Sequence, residues 1–557
     1  MNILFLSTAH NSLSQRAYVE LTDLGHNIYV QIASSEQAMV DSVKLYNPDL
    51  IIAPFLKRYI PESIWSNYTC IIIHPGIIGD RGPSSLDWAV LNGESEWGVT
   101  LLQANDMLDG GDIWASHNFT MKDVSKSHLY RHQVTEAAIK CLLETIDRYE
   151  SGNFNPKKLD YNHNDVKGKE HRPMKQKYRS IDWSEATDVI AKKIRSADSQ
   201  PGLLDSIYGE SFYLYGLHEE DTLKGNPGEI IGERNGALCR ATGDGAVWIT
   251  HLKKKSQGNH KYFKLPAAQV LGDKVNNIPH LPIEADVKGR TFRDIWYEEN
   301  NKVGYLHFNF YNGAMSTTQC IRLRDAFIKA RERDTNVIVL MGGSDFWSNG
   351  IHLNVIEGAD NPADESWKNI NAINDLIKEI ILTDTHLIIS AMRGNAAAGG
   401  VILALAADKV FAQNGVVLNP HYKNMGLYGS EYWTYLLPKR VGMKKSIELT
   451  DQCIPVSTKA AKKIGLIDDM FDGLNFKDKI IEIAEELALS PHYKSKLKEK
   501  QIKRIEDEKI KPLEFYRKEE LVKMFDNFYG SDKSYHIARK RFVYNISCLD
   551  ELPKEVL

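Results

Sequence analysis

At 557 residues, with 43% hydrophobic and 25% charged residues, the chain is too long for one core and has the composition of a folded protein of several domains. A formal net charge of −4 gives no electrostatic basis for a nucleic-acid partner, and no apolar run is long enough to cross a bilayer. The opening run Met1–Leu6 lacks a basic leader, and six scattered cysteines have no zinc or redox spacing. These features predict a cytoplasmic protein with reduced thiols, no metal and no membrane segment.

In chain order, the run NILFLS reads as a strand, followed by a helix near Gln15 to Leu24. NIYVQIA, DLIIAPF and TCIIIHP read as further strands. Strands alternating with helical stretches predict an α/β domain with a parallel, doubly wound sheet, whose ligands lie beyond the carboxyl ends of the strands. His74 immediately follows Ile71–Ile73, and the strand GVTLLQA leads into Asn105–Asp112, where Gly110 and Gly111 permit a tight turn. The polar stretch Tyr161 to Lys177 reads as a linker, and IDWSEATDVIAKKIRSA as a helix. Short strands then alternate with turns at Asn235-Gly236 and Gly243–Gly245, predicting a small β-barrel. A second linker covers Asp273 to Arg290. From Val303 a second α/β alternation begins: VGYLHFNF, a helix to Arg331, NVIVLMGG, a helix from Trp367 to Thr383, LIISAMRGNAAAGG and the apolar helix VILALAAD. Charged amphipathic helices occupy the tail from Asn475, including the basic stretch Tyr493 to Lys511.

His74 and Asp109 can face one crevice as an acid–base pair, with the carboxylate holding a proton on the imidazole. Taken alone, a histidine after a strand is more often a hydrogen-bonded surface residue, and an aspartate before two glycines is a good turn former. The surrounding words HPGIIGDRGPSSLDWAVLNGESEWGVT and DMLDGGDI, with IDWS and ATGDG further on, resemble the folate-dependent formyltransferases over roughly the first 270 residues. The resemblance implies 10-formyltetrahydrofolate as donor, with His74 and Asp109 as catalytic residues. It sets Asp106 to Asp109 in the loop that holds the pterin, with Ala53, Pro54 and Phe55 opposite. One departure is Ile72, where the family carries an asparagine; losing such an oxyanion donor costs ~3 kcal/mol. Ser14, Gln15 and Arg16, at a helix start, are candidates for an anionic acceptor, plain capping being the other reading.

WSNGIHL, AMRGNAAAGG roughly forty residues later, and AAD resemble the crotonase (enoyl-CoA hydratase/isomerase) superfamily from Val303 to Asp469. The resemblance implies a thioester oxyanion hole made by the backbone N–H groups of Ile351 and Gly399. Both hydratase glutamates are replaced, by Ile402 and Tyr422, so hydration is not expected. The segment NPHYKNMGLYGSEYW offers His421, Tyr422 and Glu431 instead, with Arg393 as a candidate cofactor contact. A tyrosine–carboxylate pair can move one proton in a dry pocket, with either member as acid or base.

Together the halves resemble the HypX/HoxX-type maturation factors of nickel–iron hydrogenases. That resemblance implies formyl transfer from 10-formyltetrahydrofolate to coenzyme A, then splitting of formyl-CoA to carbon monoxide and CoA, with hydrogenase maturation proteins as partners. Expected domains are a formyltransferase-like domain at 1–165, a small barrel at 176–272, a crotonase-like domain at 290–470 and a helical region at 471–557. Two other readings stay open: a formyl-folate hydrolase or formyltransferase with a non-catalytic, CoA-binding crotonase half, and a non-enzymatic binding module that docks on a hydrogenase precursor.

Overall fold

The computed structural model describes residues 1–258, 260–283 and 289–546; Cys548 and the end of the tail lie outside the described residues. Two compact units divide the chain, Met1–Phe292 and Arg293–Leu557.

In the first unit, β1 (Asn2–Ser7), β2 (Asn27–Ile32), β3 (Leu50–Ala53), β4 (Cys70–His74), β5 (Glu96–Gln103) and β6 (Ile113–Thr120) form one sheet in the order β2-β1-β3-β4-β5-β6. The four strands from β2 to β4 pair in parallel; β1, β3 and β4 are apolar runs buried nearly throughout, while β2 at the edge is only partly buried. The last two pairings are antiparallel, which departs from the all-parallel expectation. The change has a consequence for the site. In an antiparallel pair Thr100 lies opposite His74, while Gln103, the last residue of β5, lies opposite Ile71. Asp109 therefore does not share a carboxyl edge with His74 and reaches it only because the loop after β5 doubles back.

The stretch expected to be a linker does more than connect. Residues 157–174 strap the loop after β4: Tyr161 OH donates to Gly79 O, Gly168 N to Ile78 O, Arg81 N to Lys169 O, and His171 N to Arg81 O. Beyond it, the expected helix starts late, at Thr187, because Asp182 turns the chain by accepting from Ser184. The helix packs on a sheet of β7 (Leu203–Ile207), β8 (Glu210–Glu220), β9 (Ile230–Arg234), β10 (Ala237–Ala241), β11 (Ala246–Lys254) and β12 (Leu265–Pro266). Pairing follows β7-β8-β11-β10-β9, with β12 on β11, and among the described residues no bridge closes β7 onto β9. Asn235 and Gly236 both have positive φ, the conformation that a two-residue hairpin turn demands.

The second unit has a sheet of β13 (Ile295–Asn300), β14 (Val303–Phe308), β15 (Val337–Leu340), β17 (Leu387–Met392), β19 (Lys409–Gln413) and β22 (Asp469–Phe471), parallel except for the β13 edge. A smaller sheet joins β16 (Phe346–Ser348), β18 (Asn395–Ala397), β20 (Val417–Asn419) and β21 (Val456–Ser457). Helices Thr317–Arg331 and Pro362–Leu382 bury their apolar faces in its core. Helix Leu513–Tyr529 from the tail joins the same core through Leu513, Met524 and Phe528. No helix among the described residues is long and apolar enough to cross a membrane.

Candidate active sites

Strand alternation puts Ile72 and His74 on one face of β4. The turn after His74 is pinned from behind. Pro75 O accepts from Ser85 Oγ and Trp97 Nε1, and Gly76 O accepts from Thr100 Oγ1 at 2.9 Å. The ring of His74 is 4% exposed and stands between two carboxylates. Its Nε2 donates to Asp80 Oδ2 at 2.8 Å, and its Nδ1 lies 3.5 Å from Asp109 Oδ2. Asp109 adopts the left-handed conformation, φ 50°, which aspartate tolerates better than most residues. Its Oδ2 also accepts from Gly82 N at 3.2 Å, and Arg81 Nε donates to Leu108 O, so the two loops clamp each other. Burial disfavours the charged imidazole, but the Asp80 hydrogen bond and the charges of Asp109 and Asp80 outweigh it, and the His74 pKa is raised. Asp80 escaped notice in the sequence because an aspartate in a glycine-rich turn reads as a turn former.

The other expected folate-side residues scatter more widely. Ala53 is buried at the end of β3, and Phe55 is half-buried with an edge contact to Tyr130. Asp106 is exposed at the tip of its loop. Gln15 donates to His10 O, while the helix cap is Asn11, whose side chain accepts from Ser14 N. Arg16, the other candidate for an anionic acceptor, pairs with Glu20 at 2.6 Å and Glu136 at 3.1 Å.

In the second unit β16 and β18 run in parallel, with Ser348 beside Ala396, so the residues that follow each strand emerge together. A Cβ on Gly350 would lie 3.3 Å from Gly399 N, which places the Gly350–Ile351 and Ala398–Gly399 segments side by side. Ala398 has φ 47° and ψ −128°, a strained conformation for alanine, and helix Gly399–Leu405 begins directly after it. The Gly399 N–H is thus one of the donors a helix start leaves without an intrahelical acceptor.

Tyr422 and Glu431 meet at this point. Tyr422 OH donates to Glu431 Oε2 at 3.0 Å, and Ser430 N donates to the same oxygen at 2.9 Å. The other oxygen, Oε1, lies where a Cβ on Gly399 would be only 2.1 Å away. Burial pushes the Glu431 carboxyl up to about 7 against these two hydrogen bonds, and burial beside Glu431 raises the Tyr422 hydroxyl well above the usual range. Ile402 is fully buried in the core, and His421 is turned back on Asn419 O. Arg393 donates to Gly342 O at 3.2 Å, and its buried Nε has no hydrogen-bond partner.

Beneath Glu431 lies a polar layer with no motif to announce it. Glu431 and Tyr432 both have positive φ, 64° and 61°. Asn374 Oδ1 accepts from Glu431 N at 2.8 Å. Glu520 accepts from Tyr432 N and Thr434 N at 2.9 Å each, from Thr434 Oγ1 at 2.6 Å and from Ser430 Oγ at 3.3 Å. Burial, helped by the charge of Glu431 and opposed by the Thr434 and Tyr432 hydrogen bonds, raises the Glu520 carboxyl to about 8.

Fold and sites define a formyltransferase half joined to an enoyl-CoA hydratase/isomerase-like half, and family matches agree. Residues 8–146 match the formyl transferase family, 173–264 its C-terminal domain, and 298–537 the enoyl-CoA hydratase/isomerase family. Hydrogenase maturation factor HoxX of Bradyrhizobium diazoefficiens is 45% identical over 549 residues, 98% of this chain and 95% of that one. A crystal structure of HypX from Aquifex aeolicus in complex with tetrahydrofolic acid superposes with a TM-score of 0.94 at 45% identity, covering 100% of this chain and 98% of that one. The methionyl-tRNA formyltransferase of Bacillus licheniformis is 25% identical over 223 residues, 39% of this chain and 69% of that one. The chain belongs to the HypX/HoxX family of hydrogenase maturation factors.

Proposed function

We propose that the chain transfers a formyl group from 10-formyltetrahydrofolate to coenzyme A at the His74–Asp109 site, then splits formyl-CoA to carbon monoxide and CoA at the Tyr422–Glu431 site. The observation that carries the second step is the buried Tyr422–Glu431 pair, whose free carboxylate oxygen lies against Gly399 beside the oxyanion-hole segment. Formyl-CoA has no α-carbon, so it cannot form the enolate that this fold otherwise stabilises. Its carbon must lose its own hydrogen as the C–S bond breaks, and that proton must reach the sulfur. A carboxyl titrating near 7 beside a phenol is suited to carry it. The Ile351 and Gly399 N–H groups polarise the carbonyl meanwhile.

In the first step the N10–C bond breaks, the S–C bond forms, and the thiol proton passes to N10, with His74 and Asp109 at the formyl group. Tetrahydrofolate bound to the Aquifex relative supports a folate site here, bordered in this reading by Ala53, Phe55 and Asp106, with Gln15 and Arg16 as acceptor contacts at the first site and Arg393 as a cofactor contact at the second. The carbon monoxide serves as a ligand for nickel–iron hydrogenase iron in the cytoplasm, and hydrogenase maturation proteins are the partners.

A second reading, in which the crotonase half only binds CoA, is favoured by Ile402 standing in the core where a hydratase carries a glutamate. Purified protein with 10-formyltetrahydrofolate and CoA, and reduced haem to trap the gas, separates the two. Carbon monoxide is the expected product; formate or formyl-CoA without carbon monoxide would sink the decarbonylation.

A further inference from the structure

Asp80 is the unexplained charge of the first site. Its side chain has no solvent exposure, yet among the described side chains only His74 donates to it. Its second oxygen, Oδ1, is buried without a hydrogen-bond partner, with His171 Nε2 standing 3.6 Å off. A desolvated carboxylate held this sparsely is costly unless what faces it is cationic.

The local backbone is cut to fit the contact. A Cβ on Gly76 would lie 2.4 Å from both Asp80 Oδ2 and His74 Nε2, so only glycine lets the two close. A Cβ on Gly168 would lie 1.9 Å from Asp80 N, so the strap rests directly on the aspartate. His171 is itself held there, stacked on Trp88 at 5.8 Å. The neighbouring Arg81 does not face Asp80: it donates to Leu108 O and pairs with Glu170 at 3.7 Å. Among the described residues, the titratable groups around the ring are therefore Asp80 behind it, Asp109 in front and His171 beyond Asp80.

On the reacting face Ile72 offers no hydrogen bond, although attack on a formyl carbon gathers negative charge on its oxygen. We propose that Asp80 is a positioning residue: by gripping Nε2 with a buried negative charge, it presents His74 Nδ1–H as the donor to the formyl oxygen that Ile72 cannot supply, while the strap and His171 hold Asp80 in place. This rests on formyl transfer to CoA at the first site. The thiol proton still passes to N10 as the S–C bond forms and the N10–C bond breaks, so the ring ends the cycle as it began. The raised pKa of His74 is the expected companion of this geometry.

The test is the pH profile of kcat/KM for formyl transfer from 10-formyltetrahydrofolate to CoA, read as the sum of formyl-CoA and trapped carbon monoxide. A ring that acts as a cation gives an alkaline limb where it loses its proton. Asp80→Asn removes the charge that holds this proton, so the limb moves to lower pH and the rate at neutral pH falls by roughly 100-fold. Gly76→Ala keeps both titrating groups but wedges them apart, and it must move the limb the same way. It also carries the test if Asp80→Asn does not fold, which thermal melting reports. Folded variants whose alkaline limb stays at the unaltered position overturn the proposal alone. Neither formyl-CoA nor carbon monoxide from the unaltered protein overturns the underlying reading, and this proposal with it.

Discussion

Tyr422 and Gly399 concentrate the chemistry of the second site into two atoms. Tyr422→Phe removes one hydroxyl, the one 3.0 Å from Glu431 Oε2, and leaves the ring that packs against Gly429. Loss of a positioned proton carrier costs about 10²- to 10⁴-fold. Carbon monoxide release should fall by that factor while formyl-CoA still accumulates, read by haem trapping and by thioester assay on one sample. Gly399→Ala acts through space alone, because its Cβ would stand 2.1 Å from Glu431 Oε1. The carboxylate must swing away, so decarbonylation should be lost with formyl transfer intact. If Gly399→Ala keeps its carbon monoxide output, Glu431 is not working from this position.

At the scale of elements, helix Leu513–Tyr529 is part of the second site's foundation, although nothing in its charged sequence says so. Its Glu520 reaches the backbone of Tyr432 and Thr434, next to two consecutive residues in the left-handed conformation. Such strain persists only where neighbours over-determine it. Glu520→Gln keeps an acceptor but replaces the second oxygen with a donor, which faces the N–H groups that the carboxylate now satisfies. It should lower carbon monoxide output with little effect on formyl-CoA formation, as the same two assays would report. In the first unit Gly82 has φ 112°, and a Cβ there would be 2.2 Å from His171 O. Gly82→Ala should therefore loosen the 157–174 strap, detected as faster hydrogen exchange at Arg81 and His171. Unchanged exchange at both amides would argue that the strap is held elsewhere.

For the whole molecule, burial of two carboxyls predicts an unusual dependence of stability on pH. Folding raises Glu431 to about 7 and Glu520 to about 8 from an ordinary 4.5. Between about 4.5 and 8 the native state holds more protons than the unfolded chain, so stability falls as pH rises. The contribution is complete below about 4.5 and gone above about 8. The melting temperature should drop between pH 5.5 and 8.5, and Glu520→Gln should flatten that drop; an equal slope in both proteins would contradict the assignment. Tetrahydrofolate supplied at a hundred times its dissociation constant should add ~2.7 kcal/mol at 25 °C, visible as a higher melting temperature.

Much of this was legible in the amino-acid order. Apolar runs with helical stretches between them determined two α/β units, the Asn235-Gly236 turn determined a hairpin, and the words around His74, Asp109, Gly399 and Tyr422 pointed to formyl and thioester chemistry. These are local signals: periodicity, turn stereochemistry and short motifs are written within a few residues of where they act. What brought Tyr422 to Glu431 was tertiary, and so was the grip of Asp80 on His74. The antiparallel β5, the strap read as a linker, the pairing of Arg16 with Glu136, and the burial of Glu520 were tertiary as well. Each depends on which segment lies alongside; desolvation, which raises Glu431 and Glu520, and the carboxylates that raise His74 against desolvation act only once those neighbours have arrived.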